Sequence, residues 1–230
     1  MSFSLNTILF GLYPYIAIVA CVAVCIVRFD REQYTWKAGS SQLLRTRGMV
    51  VASNLFHIGI LFILAGHIVG LLTPESVYHH VISTPNKQLL AMVSGGIFGI
   101  LCFIGLSMLL YRRLTDERVR ANSSFSDIMV LVLLLIQLIL GLLTIVVSAE
   151  HMDGSVMVLL ATWAQSIVTL QPIQASAAIA TVHILYKLHV FFGLTIVLIF
   201  PYTRLVHMIS APIWYLGRSY QIVRQTQQVK

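Results

Sequence analysis

Five stretches of this chain, at about 7–27, 49–72, 89–110, 128–147 and 188–209, are long and apolar enough to cross a lipid bilayer, a task that takes about 20 helical residues. The second and third contain no Asp, Glu, Lys or Arg. Over the whole chain of 230 residues, hydrophobic side chains make up 58% and charged ones 10%, where a soluble domain carries about a quarter charged residues. Mean hydropathy is +0.87. Such a surface cannot be solvated by water, so soluble and disordered classes are excluded, and three cysteines are too few for a disulfide scaffold. Strong helix formers and lone polar residues such as Gln137 fit helices rather than the alternation of a transmembrane barrel. The expected fold class is all-α: an integral-membrane bundle of five transmembrane helices.

The basic residues orient it. Arg28, Arg31, Lys37, Arg45 and Arg47 lie between spans 1 and 2, and Arg112, Arg113, Arg118 and Arg120 between spans 3 and 4. The loop after span 2 has only Lys87, the stretch 148–182 has no Lys or Arg, and the tail 210–230 holds Arg218, Arg224 and Lys230. The positive-inside rule puts these basic loops and the tail in the cytoplasm and the N-terminus outside, in the periplasm. Residues 156–170 are apolar but short for a span, and a sixth crossing would expel the basic tail; a helix lying in the outer interface is expected. No Lys or Arg precedes the first apolar stretch and no A-x-A site follows it, so it reads as a retained helix rather than a signal peptide. The net charge of +7 belongs to cytoplasmic loops facing anionic lipid or partner subunits, not nucleic acid. Cys21, Cys25 and Cys102 fall within spans as small packing residues.

Ionisable side chains at membrane depth are costly and mark function, and here they are histidines. Of eight, His57 and His67 fall in span 2, and His189 and His207 in span 5. Spans 2 and 5 run antiparallel, which pairs His57 with His207 towards the cytoplasm and His67 with His189 towards the outside. Facing imidazoles in lipid suit haem iron, which takes two axial nitrogens inside an apolar macrocycle. Zinc would need a fuller tetrahedral set than these depths supply. Glycines 66, 70 and 193 lie beside these ligands, where they would let a flat plate approach the backbone. Gly66 and Gly70 also read equally well as a small-xxx-small helix-packing motif. One tension is that His57 and His67 are separated by about 15 Å of helical rise but His189 and His207 by about 27 Å; a kink near Pro201 would reconcile them. His79, His80, His151 and His183 fall outside this scheme, as solvated or interfacial residues. Two haems at two depths form an electron path, for which a lipid-soluble quinol entering near His67 is the natural donor. Lys87 would steady its oxygen, or else snorkel to the interface.

The segments YPYIA (13–17), QYTW (33–36), ASNLFHIGILFILAGHIVGLLTP (52–74), SAEHMDGS (148–155), WAQSIVT (163–169) and RLVH (204–207) resemble the gamma subunit of respiratory nitrate reductase, a membrane-bound diheme cytochrome b. The resemblance implies a bacterial inner-membrane subunit that oxidises quinol, ubiquinol or menaquinol, near the periplasmic face. Electrons would pass through two haems b to an iron–sulfur beta subunit and on to a molybdenum-containing alpha subunit, where nitrate becomes nitrite. It implies His67 and His189 as ligands of the outer haem and His57 and His207 of the inner one. Lys87, Gly66 and Gly70 become quinol-pocket residues, and Arg112 or Arg113 partners for an inner-haem propionate. The 170–182 stretch departs most from the family pattern. Two protons would be released outside, while each electron moving inward works against about 2.3 kcal/mol per 100 mV. Loops 28–47 and 111–126 and the tail 208–230, with Trp214 and Tyr215, would meet the partner subunits. The rival readings are a diheme subunit of a sulfur-metabolism or formate dehydrogenase complex, and a haem-free transporter or anchor. No internal repeat of the transporter kind is present.

Overall fold

The computed structural model of the chain describes residues 4–32, 34, 36, 41, 44, 48–210 and 217. Lys37, Arg45, Arg47, Trp214, Tyr215, Arg218, Arg224 and Lys230 lie outside them. All regular structure among the described residues is helical. A π-helical turn, Thr7–Leu12, leads into α1 (Tyr13–Arg31), followed by α2 (Met49–Leu72), α3 (Glu75–Tyr78), α4 (Thr84–Thr115) and α5 (Glu117–Ala121). Then come α6 (Phe125–Ala149), α7 (Ser155–Val168), α8 (Pro172–Ala178), α9 (Ile184–Ile199) and α10 (His207–Ser210). Five of these helical segments are long and apolar enough to cross a membrane: Thr7–Arg31, Met49–Leu72, Thr84–Thr115, Phe125–Ala149 and Ile184–Tyr202.

Local chemistry explains the boundaries. Pro85 occupies the first turn of α4, where a missing N–H costs nothing, and Pro14 lies where the π-helical turn passes into α1. Arg28 and Arg31, and Arg112 and Arg113, end α1 and α4, where cations oppose the helix dipole. Ser124 and Asp127 form a reciprocal capping box at the start of α6.

The last span is not one helix. Pro201 has no N–H for the ladder, so α9 ends at Ile199 and gives way to 3-10 turns at Phe200–Tyr202 and Arg204–Val206, with extended Thr203 between them.

Neighbours along the bundle run α2–α4–α6–α9–α1. The tightest of these contacts is α2 against α4. A Cβ on Gly59 would lie 2.6 Å from Cys102 Cβ, and one on Gly105 would lie 2.7 Å from the Ala52 carbonyl oxygen. Small residues there let two backbones nearly touch, as lipid-embedded helices require. At the N-terminal end, α7 ties the helices together: Trp163 Nε1 donates to the Phe10 carbonyl at 2.9 Å and Gln165 Nε2 to that of Leu71 at 3.0 Å. A small core of Phe10, Ile179, Val182 and Tyr186 sits under this cover. The 170–182 stretch contributes Ile179 and Val182 to it, while α8 packs against α7 and the π-helical turn.

Candidate haem and quinol site

Two histidine pairs meet across the gap between α2 and the α9–α10 limb. The ring centres of His67 and His189 are 6.0 Å apart, those of His57 and His207 6.2 Å. A metal–imidazole bond is about 2 Å long and the ring centre lies about 1 Å beyond the nitrogen, so two imidazoles on opposite sides of one metal stand about 6 Å apart. The mismatch in histidine spacing is resolved by the break at Pro201. Helix α9 carries the chain about 15 Å from His189 to Ile199, as far as α2 runs from His57 to His67. The folded turns that follow then return His207 to the depth of His57.

All four imidazoles present the same nitrogen. Nδ1 of His57 faces the Ser53 carbonyl at 2.7 Å, His67 that of Ile63 at 2.8 Å, His189 that of Gln137 at 3.2 Å and His207 that of Arg204 at 2.6 Å. A carbonyl only accepts, so Nδ1 is the protonated nitrogen and Nε2 keeps its lone pair, the arrangement that outer-sphere partners impose on metal-binding histidines. His79 and His183 are used otherwise. His79 Nε2 pairs with Glu75 at 2.9 Å and Thr84 at 3.1 Å, and His183 Nδ1 caps α9 by accepting from Leu185 N–H.

The donor set and the space fit a haem. Among the described residues no group of three or more His, Cys, Asp or Glu could hold a bare ion. Helix α2 has its extended contacts with α4 and α7, not with α9. A Cβ on Gly66 or Gly70 would meet no atom within 4 Å, so among the described residues no helix of this chain packs against them. Gly193 does not face open space: a Cβ there would stand 3.1 Å from Gln137 Nε2. Room for the His189 ring comes instead from Gly141 on α6, where a Cβ would sit 3.0 Å from its Cε1.

Lys87 does not snorkel. Its Nζ is buried without a hydrogen-bond partner and lies 3.6 Å from the centre of the Tyr78 ring, a cation–π contact. Tyr78 is itself held by Thr84 Oγ1 at 3.2 Å. Arg112 and Arg113 are both buried. Arg112 donates to the Ser41 hydroxyl at 2.9 Å and carbonyl at 2.8 Å, and Arg113 to Ser123 Oγ at 2.7 Å.

Sequence reasoning passed over Asp127, just outside the expected fourth span, and gave Arg204 no role. The two form a bidentate ion pair, at 2.7 Å from Nε and 2.6 Å from Nη2. The only signal was an acid one residue before an apolar run and an arginine three before His207.

Comparison with known proteins shows the family to which the chain belongs. Residues 6–226 match the family described as nitrate reductase gamma subunit. The chain is 51% identical to the respiratory nitrate reductase 2 gamma chain and 50% identical to the respiratory nitrate reductase 1 gamma chain of Escherichia coli K12. Each match spans 96% of this chain and 97% of the relative. The nitrate reductase gamma chain of Bacillus subtilis 168 is 35% identical over 95% of this chain and 97% of its own length. Paired intramembrane histidines on a five-span bundle, together with similarity along nearly the whole chain, place this protein in the nitrate reductase gamma subunit family.

Proposed function

We propose that this membrane subunit binds two haems b, one between His67 and His189 and the other between His57 and His207, and is the entry point for quinol electrons into a nitrate reductase complex. The observation that carries the reading is the repeated geometry: two imidazole couples at about one metal's separation, every Nδ1 given to a carbonyl and every Nε2 left to coordinate. Haem bound at each couple would carry one electron at a time between a two-electron quinol and one-electron iron–sulfur centres.

The remaining chemistry belongs to the chain's own residues. Lys87 offers an ammonium with unspent donors beside His67's end of the bundle; it would bind a quinol oxygen and stabilise negative charge there as the proton departs. Open backbone at Gly66 and Gly70 admits a flat ring next to His67. Arg112 and Arg113 lie at the His57 end of the bundle. Arg112 donates to Ser41, and Arg113 to Ser123 with the Asp127 carboxylate 3.7 Å away; a propionate at this end would be held by these guanidiniums, whose planar forks suit a carboxylate. With the basic loops inside, quinol protons leave on the periplasmic side and electrons emerge beside loops 28–47 and 111–126 and the tail 208–230, the docking surfaces for an iron–sulfur beta subunit. A molybdenum-containing alpha subunit beyond it would reduce nitrate.

The test is a reduced-minus-oxidised visible spectrum of the purified subunit, with b-type bands and a haem-to-protein ratio near two expected. His67→Ala and His189→Ala should each remove the same haem, and His57→Ala and His207→Ala the other. A colourless protein, or His67→Ala and His207→Ala removing one and the same haem, would refute the pairing.

A further inference from the structure

His57, His67 and His189 sit on continuous helices, whose ladders set the position of each ring. His207 has no such support. It follows the proline break and two 3-10 turns, so no continuous helical ladder runs back from it into α9. Side-chain ties must fix its depth and direction.

The structure shows which ties these are. Arg204 reaches across to α6 and grips Asp127 with two parallel hydrogen bonds, at 2.7 and 2.6 Å. Asp127 is 8% exposed, and the backbone N–H of Ser124 donates to its Oδ2 at 2.9 Å within the capping box. The carbonyl of the same Arg204 accepts from His207 Nδ1 at 2.6 Å. Thr203 stiffens the turn on the near side: its hydroxyl accepts from Leu205 N–H at 3.2 Å and donates to the Phe200 carbonyl at 2.9 Å. From the opposite flank, the Arg28 guanidinium on α1 donates to the Pro201 carbonyl.

We infer that the Asp127–Arg204 pair is the device that positions His207 as an axial ligand, its side-chain end anchored to α6 and its main-chain end holding the imidazole. A guanidinium fork on a carboxylate constrains distance and plane together, so a shift of the Arg204 backbone must be absorbed by its side-chain torsions or else strain both bonds. The pair touches neither iron nor quinol; Asp127 and Arg204 are positioning residues for one haem of the two. The inference rests on the haem reading above.

The test uses the assembled complex in its membrane and reads each haem separately, by its low-spin electron paramagnetic resonance signal and its midpoint potential in a redox titration. Arg204→Gln should alter the signal and potential of the haem held by His57 and His207, or lower its retention roughly tenfold or more, while the His67–His189 haem keeps its signal. Asp127→Asn, nearly isosteric, should do the same, and the double variant should be no worse than either single one. Arg204→Lys, which keeps the charge but not the fork, should recover only part. Thr115→Ala, which loses only an exposed hydrogen bond to the Tyr111 carbonyl and does not touch the pair, should leave both signals in place. Unchanged signals in Arg204→Gln would overturn the inference; so would loss of both haems together, or the same change from Thr115→Ala. Failure of the haem reading would show differently, as absence of two haems from the unaltered protein.

Discussion

An imidazole has two nitrogens, and the partner of one decides what the other can hold. Four histidines here give Nδ1 to a carbonyl, three of them to a residue three or four positions earlier in the chain. The fourth, His189, gives it to Gln137 on α6, in a space that only a glycine at 141 leaves open. The residue types were legible in the sequence, because a histidine in an apolar span has few structural excuses. The hydrogen bonds were not, since a carbonyl is present at every residue and only geometry says which one is in reach. Lys87 makes the same point: snorkelling was one expectation, and burial against Tyr78 is the outcome. Lys87→Ala should keep both haems yet raise the quinol KM or lower turnover by about tenfold or more, the value of a hydrogen bond to a charged group. Steady-state quinol oxidation beside a haem spectrum checks this, and unchanged kinetics would remove Lys87 from the site.

Among elements, the five long helices follow from hydropathy and length alone, with α2 starting and ending where its apolar run does. Their partners do not follow. The α2–α4 contact depends on Gly59 and Gly105, which look no different in sequence from Gly66 and Gly70, where nothing approaches. An added methyl on Gly105 would collide with the Ala52 carbonyl and the Phe56 backbone of α2. Gly105→Ala should therefore destabilise the subunit by about 1–3 kcal/mol, the usual cost of overpacking, seen as a lower thermal inactivation temperature in detergent. Gly96→Ala, whose methyl would meet only Ile145 at 4.0 Å, should be neutral or slightly stabilising. Equal effects at the two positions would refute the close contact. The break in the last span was foreshadowed by Pro201 and by unequal ligand spacings, but its extent, two 3-10 turns about an extended residue, is a property of the fold.

At the scale of the molecule, the distribution of Arg and Lys argues for an N-terminus outside and a C-terminus in the cytoplasm. A fluorescent protein fused after Lys230 should fluoresce, because it folds only on the cytoplasmic side, whereas alkaline phosphatase fused there should be inactive. The opposite result would invert the assignment of outer and inner haem. Span number, helical class, the intramembrane histidines and the family were all readable from the chain by itself, because hydrophobicity and local motifs are properties of neighbouring residues. Only the tertiary structure decided that α2 and α9 face each other across a gap, that His207 returns to the depth of His57, and that Arg204 meets Asp127. Those arrangements join residues as far apart as His57 and His207, 150 positions along the chain, and no local pattern in an apolar chain specifies which faces of its helices will meet.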